Sequence, residues 1–194
     1  MMSQVGQKKT HTPGEPGIWM LVAGDMAMFS LLFFIFLHYR ATDPVLFTES
    51  QAHLNQGLGL FNTLLMLTSS WLVANGVQAA RRHEAVLVRR FFRLAIGCGA
   101  AFLAVKYFEY SEKISAGQNM WANDFFMLYF CYTGIHMIHV ILGMGVLAGV
   151  MVYAQGQRIA PSNLCNLEVG ATFWHMVDLL WIVIFALFYL VGLS

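Results

Sequence analysis

Apolar residues in this chain fall into long blocks separated by short polar segments. A helix needs roughly 20 mostly apolar residues to cross the hydrocarbon core of a bilayer, and five blocks have that length. We therefore predict an all-α membrane protein, a bundle of five transmembrane helices within a domain at residues 17–194, preceded by a polar N-terminal tail at residues 1–16. The predicted spans lie at residues 17–38, 58–80, 91–114, 125–153 and 169–191.

The composition agrees with a membrane protein. Of the 194 residues, 58% are hydrophobic and 11% are charged, whereas about a quarter of the residues of a soluble domain are charged. The formal net charge of +1 argues against a nucleic-acid partner. The three cysteines are odd in number and widely spaced, so they indicate neither a disulfide framework nor a thiolate metal site.

The positions of the basic residues predict the orientation of the bundle. With five spans, the N-terminus, the second loop and the fourth loop share one side, which carries Lys8, Lys9, Arg81, Arg82, Arg89, Arg90, Arg93 and Arg158. The other side carries Arg40 and Lys113. Because loops rich in Lys and Arg stay in the cytoplasm, we predict a cytoplasmic N-terminus, a periplasmic C-terminus and a location in the bacterial inner membrane.

Five acidic or histidine residues lie well inside the first, fourth and fifth predicted spans. Asp25 is about 12 Å deep at 1.5 Å per residue, and Asp178 has a similar depth in the fifth span. His175 lies one turn from Asp178, and His136 and His139 share a face of the fourth span by the i, i+3 rule. An ionisable group in hydrocarbon costs about 3 kcal/mol, so we expect the five residues to meet in a polar cluster inside the bundle.

Two interpretations of this cluster stay open. The side chains could serve only as hydrogen-bonding partners that fix helix packing. Alternatively, because burial penalises the ionised form of a carboxyl group, Asp25 and Asp178 could bind and pass protons. A metal site built on the HxxH spacing of His136 and His139 with His175 is a third possibility, but the glutamate of the HExxH zinc motif is missing.

A second charged group lies towards the outer end of the third span and comprises Lys106, Glu109, Glu112 and Lys113. The spacing predicts one i, i+4 pair between Glu109 and Lys113 and one i, i+3 pair between Lys106 and Glu109. We interpret this group as a structural ion network that caps the span. In the fourth span, Gly145 and Gly149 form a GxxxG motif, which predicts a helix-packing surface.

The segments that hold these residues resemble subunit III of the heme-copper respiratory oxidases. FMLYFCYTGIHMIHVILG at residues 126–143 is similar to that family's TGxHxxHVxxG helix, and WHMVDLLW at residues 174–181 resembles its WHxVDxxW signature. LFNTLLMLTSS at residues 60–70 and EYSE at residues 109–112 match two further motifs in the same order. The resemblance extends from about Gly17 to Gly192.

Two departures from the family pattern affect what the resemblance implies. Full-length members have seven helices, whereas this chain has the last five, as quinol oxidase relatives do. Asp25 replaces the usual buried glutamate. GEPGIW at residues 14–19, the Gly24–Asp25 pair and LTSSW at residues 67–71 look more like the NorE-type proteins associated with nitric oxide reductase, so we prefer that branch.

The resemblance implies an accessory subunit with no heme, copper or other cofactor of its own. In the family, the subunit packs on the catalytic heme-copper subunit, which holds the hemes and copper, binds membrane phospholipid and supports proton delivery. A stand-alone proton channel or transporter that uses the buried acids is the alternative function, although no internal repeat supports it. A membrane metalloenzyme is the third hypothesis.

Overall fold

The computed structural model describes residues 16–153 and 161–191, which form helices joined by short loops. The helices are α1 (Pro16–Thr42), α2 (Pro44–Ala52), α3 (Gln56–Arg81), α4 (Ala85–Ser115), α5 (Asp124–Tyr153) and α6 (Pro161–Phe185), which continues into a π-helical turn at Ala186–Leu190. Within those two ranges the structure contains no strand. Residues 1–15 of the predicted tail, and Arg158 of the fourth loop, lie outside the described residues.

Five of these helices are long and apolar enough to cross a membrane, which confirms the predicted fold class. The candidate spans are Gly17–Thr42, Gln56–Arg81, Ala85–Ser115, Asp124–Val152 and Leu164–Leu190. Two helices begin earlier than predicted, at Ala85 and Pro161, because hydropathy marks the apolar part of a helix and not the polar turns beyond it. Consequently Arg89 and Arg90, which were predicted in the loop before the third span, lie on the first turns of α4.

The short helix α2 was not predicted from the sequence. Asp43 caps its N-terminus, because the Asp43 carboxylate accepts a hydrogen bond of 3.1 Å from the backbone N–H of Leu46. Such a bond satisfies one of the free N–H groups in the first turn. Phe47 is buried and packs edge-on against Phe36 of α1, with 5.5 Å between ring centroids. This helix therefore covers the end of the bundle where α1 terminates.

Helix α6 forms the centre of the bundle and α1 lies at its periphery. In an apolar 18-residue window of the α6 span 61% of the residues are buried, against 11% in the corresponding window of the α1 span. Contacts between helix ends give the directions of the spans: α3 and α6 are antiparallel, because Arg81 at the end of α3 pairs with Glu168 near the start of α6 at 2.9 Å. At the opposite end of the bundle, Arg40 donates to the Val191 carbonyl over 2.6 Å.

Trp174 of α6 is the point at which four helices meet. Its indole is fully buried and donates from Nε1 to Ser69 Oγ of α3 at 3.1 Å. A Cβ atom added at Gly143 of α5 would lie 2.7 Å from the indole ring, and one added at Gly99 of α4 would lie 3.1 Å from it. Both glycines therefore allow close approach of Trp174: a methyl group at Gly143 would not fit, and one at Gly99 would require a neighbour to shift.

The GxxxG motif does not mark the packing face of α5. A Cβ atom added at Gly145 or at Gly149 would have no neighbour within 4 Å. Within the described chain these two residues contribute no packing surface, because the face of α5 that contacts α6 contains Gly143 instead. Spacing alone could not distinguish these positions, since GxxxG sequences are frequent in membrane helices whether or not they pack.

Candidate functional site

The five ionisable residues of the predicted cluster separate into two acid–histidine pairs and one single histidine. Asp25 and His139 line a cleft between α1, α5 and α6. His175 lines a different groove, between α3 and α6, with Asp178 beside it. His136 lies in the core of the bundle. The structure therefore provides two distinct polar sites where the sequence suggested one.

Asp25 and His139 form the pair nearest the start of α1. The Asp25 Oδ2 and His139 Nε2 atoms are 3.6 Å apart, and the side chains are 22% and 14% exposed. His139 Nδ1 lies 2.9 Å from the Ile135 carbonyl oxygen. Because a carbonyl oxygen only accepts hydrogen bonds, Nδ1 carries the ring proton. Nε2 then faces the carboxyl group at 3.6 Å.

The second pair is built around His175. Its Nδ1 atom lies 2.7 Å from Ser70 Oγ of α3 and 3.9 Å from Asp178 Oδ2, one turn further along α6. The Asp178 side chain is 4% exposed, yet neither of its oxygens has a hydrogen-bond partner among the described residues. Nearly all buried polar atoms have such partners, so Asp178 is an exception to the usual pattern.

His136 packs against aromatic rings. Its ring centroid lies 5.6 Å from that of Phe102 and 5.3 Å from that of Trp181. The side chain is fully buried, and neither ring nitrogen has a hydrogen-bond partner among the described residues. His136 and His139 therefore lie in different surroundings, although they are only three residues apart.

A buried ion pair occupies the interior near the other end of the bundle. Lys106 Nζ lies 2.9 Å from Glu109 Oε2, and both side chains are fully buried. Lys106 also donates to the Tyr129 and Tyr189 hydroxyls over 3.0 and 3.1 Å, and its ammonium lies 4.9 Å from the centroid of the Trp181 ring. All three ammonium protons thus have acceptors, which offsets much of the cost of burying the charge.

The π-helical turn at the end of α6 brings Tyr189 to this ion pair. The Val191 N–H bonds to the Ala186 carbonyl, five residues earlier, at 3.1 Å, which adds one residue to the turn. The Tyr189 hydroxyl donates to Glu109 Oε1 over 2.5 Å. The Glu109 carboxylate is therefore held by a lysine of its own helix and by a tyrosine of α6.

The other half of the predicted ion network does not form. Lys113 donates to the backbone carbonyl of His53, in the loop that follows α2, and no ion pair links it to Glu109 among the described residues. Glu112 is exposed. The predicted Glu109–Lys113 pair is wrong, because Glu109 turns into the bundle while Lys113 ties α4 to the loop after α2.

Several residues of these sites were not predicted from the sequence. Tyr129, Tyr189 and Ser70 complete the hydrogen bonding of Lys106 and His175, but a tyrosine or serine in an apolar helix has no pattern that names its partner. Within residues 16–153 and 161–191, no three His, Cys, Asp or Glu side chains are arranged to hold a metal ion. The HxxH spacing accordingly does not produce a ligand set in the described part of the chain.

Comparison with known proteins gives the family. A family model described as cytochrome c oxidase subunit III matches residues 10–193, which is nearly the whole chain. The chain belongs to the cytochrome c oxidase subunit III family. The two acid–histidine pairs and the buried Lys106–Glu109 pair are thus features of a subunit III bundle with five membrane-span helices.

Members of the subunit III family that are similar to this chain come from organisms distantly related to one another. Cytochrome c oxidase subunit 3 of Synechocystis is 28% identical over 93% of this chain and 82% of its own length. Quinol oxidase subunit 3 of Bacillus spizizenii is 26% identical over 97% of this chain and 92% of its own length. A heme-copper oxidase subunit I+III of Aeropyrum pernix is 26% identical over 90% of this chain, which corresponds to 22% of that longer protein.

Proposed function

We propose that this chain is a non-catalytic accessory subunit of a membrane-bound heme-copper oxidase. The family match over residues 10–193 carries the proposal. The relative named subunit I+III supports it, because there a region similar to this bundle is part of one chain with subunit I. In this proposal the catalytic partner holds the hemes and copper, and this chain stabilises it and supplies protons.

The names of the relatives favour an oxidase over a nitric oxide reductase. The similar proteins above are named as subunits of cytochrome c, quinol or heme-copper oxidases. The NorE-type association, which the segments at residues 14–19 and 67–71 suggested, has no support from them. We therefore propose an oxygen-reducing complex, and association with nitric oxide reductase is an alternative outcome of the experiment.

Purification of an affinity-tagged chain from its native membrane in a mild detergent tests this function. We expect a heme-copper subunit to co-purify, with heme absorbance and oxygen consumption that follow the tagged chain through size-exclusion chromatography. Activity with nitric oxide in place of oxygen would identify the other branch. Recovery of an intact, folded chain with no heme protein would reject the accessory role and favour the stand-alone proton channel.

We also propose that the N-terminus is cytoplasmic in a bacterial inner membrane. Five arginines cluster where α3 ends and α4 begins, whereas Arg40 and Lys113 lie at the other end of the bundle. An alkaline phosphatase fused to the C-terminus should be active, because this reporter folds outside the cytoplasm. A phosphatase that is active only when fused within residues 82–84 would reverse the orientation.

The cleft between α1, α5 and α6 suits a phospholipid acyl chain. Its volume is about 450 Å³, and apolar side chains dominate the lining, among them Leu21, Leu142, Val146 and Phe173. The Asp25–His139 pair lies in the same cleft. We propose that a lipid chain occupies this cleft and separates the pair from the surrounding bilayer.

Asp25 and His139 are proposed to hold a proton for the catalytic partner. Asp25→Asn keeps the size of the side chain and its capacity for hydrogen bonding but removes the ionisable carboxyl group. We expect the complex to assemble normally, and its turnover to fall or its inactivation to accelerate, most clearly at high pH where protons are scarce. Steady-state oxygen consumption and inactivation times across pH measure this. Ser30→Ala, at an exposed position of the same helix, is the control. If Asp25→Asn has the same rates and inactivation times as wild type, Asp25 contributes only to helix packing.

A further inference from the structure

The cleft between α1, α5 and α6 has an apolar wall and a polar end. It follows α1 from Ile18 to Asp25, a distance of about 10 Å at 1.5 Å per residue. Leu21 and Leu142 line it and are 48% and 55% exposed, so the cleft is open towards the bilayer. Asp25 and His139 lie at the deep end and are 22% and 14% exposed. A ligand that enters from the bilayer can therefore reach both side chains.

The polar atoms at this end are two hydrogen-bond acceptors that face each other. His139 Nδ1 carries the ring proton, because it lies 2.9 Å from the Ile135 carbonyl oxygen, so Nε2 of the neutral imidazole is an acceptor. An ionised Asp25 carboxylate also only accepts. Its Oδ2 atom is 3.6 Å from Nε2, which is beyond hydrogen-bond distance. The pair is therefore complementary to a hydrogen-bond donor on a ligand.

A phospholipid acyl chain matches the apolar wall of the cleft but not its polar end. The phosphate and glycerol groups of a phospholipid lie in the interfacial region, and deeper in the bilayer only hydrocarbon remains. A methylene group beside Asp25 and His139 supplies no donor, and polar groups left without hydrogen bonds are costly. A charged donor is disfavoured at this depth. The matching ligand is therefore a lipid with a neutral hydroxyl group about 10 Å below the start of the helix.

The aromatic rings around His139 favour a flat ligand. The His139 and Phe173 rings are nearly parallel, with an interplanar angle of 23° and 6.5 Å between centroids, and both residues line the cleft. Planar rings pack on such surfaces in offset or edge-on arrangements. The volume of about 450 Å³ lies within the range of small-molecule sites. A ring that bears a hydroxyl group and an apolar chain fits this combination of features.

We propose that the cleft binds an isoprenoid quinol. A ring hydroxyl donates a hydrogen bond to the Asp25 carboxylate beside His139, and the apolar chain lies along Leu21, Leu142 and Val146. The inference deepens the lipid site proposed above by naming the class of lipid. It rests on the proposed accessory function, because a respiratory membrane supplies the quinol. It concerns binding alone, and the quinol stays reduced in this chain.

Binding of tritiated decylubiquinol to the purified chain in detergent, under reducing conditions, tests the site. The matched ligand is the dimethyl ether of the same quinol, which keeps the ring and the chain but has no hydroxyl donor. We expect saturable binding of the quinol and roughly tenfold weaker binding of the ether, as for one lost hydrogen bond. Equal affinities for the two ligands would overturn the proposal.

A double variant shows whether the hydroxyl binds at the assigned residues. Asp25→Ala with His139→Phe removes both acceptors but keeps an aromatic ring beside Phe173. We expect this variant to bind the quinol and its ether with equal affinity, whereas Ser30→Ala, at an exposed position of α1, keeps the preference for the quinol. A preference that persists in the double variant would place the hydroxyl elsewhere and reject the assignment. If the double variant does not fold, the comparison of the two ligands on the wild-type chain still decides.

Two further outcomes separate this proposal from the others. If phosphatidylcholine displaces the tritiated quinol and the wild-type chain does not distinguish the quinol from its ether, the cleft is a phospholipid site and the quinol assignment is wrong. If a heme-copper subunit co-purifies with the tagged chain but no quinol binds, only the quinol assignment fails. If the quinol binds but no heme protein co-purifies, the accessory function fails.

Discussion

Lys106→Met should be the most destabilising single substitution of a charged residue in this chain, with a loss of about 3–5 kcal/mol in the free energy of unfolding. The substitution leaves the Glu109 carboxylate fully buried without its cation. The Tyr189 hydroxyl, 2.5 Å from Glu109 Oε1, cannot replace a positive charge. Denaturant titration of the purified chain in detergent, followed by tryptophan fluorescence, measures the loss.

The double variant Lys106→Met with Glu109→Gln should recover most of that stability. Neutral glutamine still offers an oxygen to the Tyr189 hydroxyl, and replacement of both charges removes the unpaired ion. Replacing a whole buried ion pair is often neutral or stabilising, whereas breaking it is costly. If Lys106→Met alone is as stable as the double variant, the single change leaves no uncompensated charge in the core, and the prediction is wrong.

Arg82→Met is the matched control for the loss of a positive charge. Arg82 is exposed in the turn between α3 and α4, and its side chain forms no ion pair among the described residues. We expect its free energy of unfolding to stay within about 0.5 kcal/mol of wild type, as for most surface substitutions. A loss equal to that of Lys106→Met would attribute the effect to net charge and not to burial.

The sequence predicted the helices well because a bilayer leaves few alternatives. Blocks of apolar residues long enough to cross hydrocarbon must be helical, since each backbone N–H and C=O needs a partner within the segment. The same signal missed α2, whose nine residues include Thr48 and Glu49. That helix depends on the Asp43 cap and on burial of Phe47 against Phe36, and hydropathy detects neither.

The sites were predicted less completely than the helices. Sequence spacing indicates which residues share a helix face, and it correctly related Lys106 to Glu109 and His175 to Asp178. It could not show that Asp25 would contact His139, since that pairing depends on how α1 packs on α5. Nor could it predict Tyr189 at Glu109, because the π-helical turn shifts the register of the last residues of α6.

A substitution at Gly143, which lies against Trp174, should have the second large effect on stability. Gly145, two residues away, provides the matched control. A Cβ atom at Gly143 would lie 2.7 Å from Trp174 Cε3, closer than carbon atoms approach without a shift. The indole is rigid, fully buried and bonded to Ser69 at 3.1 Å, so it cannot move away easily. We expect Gly143→Ala to lower the free energy of unfolding by about 1–3 kcal/mol through overpacking.

Gly145→Ala should instead raise the free energy of unfolding. A Cβ atom there has no neighbour within 4 Å, so the substitution only replaces a glycine in a helix by alanine, which stabilises by up to about 1 kcal/mol. The gain in helix propensity is the same at Gly143, and the difference between the two variants therefore isolates the contact with Trp174.

Combining Gly143→Ala with Trp174→Phe, whose smaller ring leaves space for the methyl group, should cost less stability than the sum of the single changes. Strict additivity in the denaturant titrations, or equal stability of the two alanine variants, would show that Trp174 does not hold α5 and α6 together at Gly143.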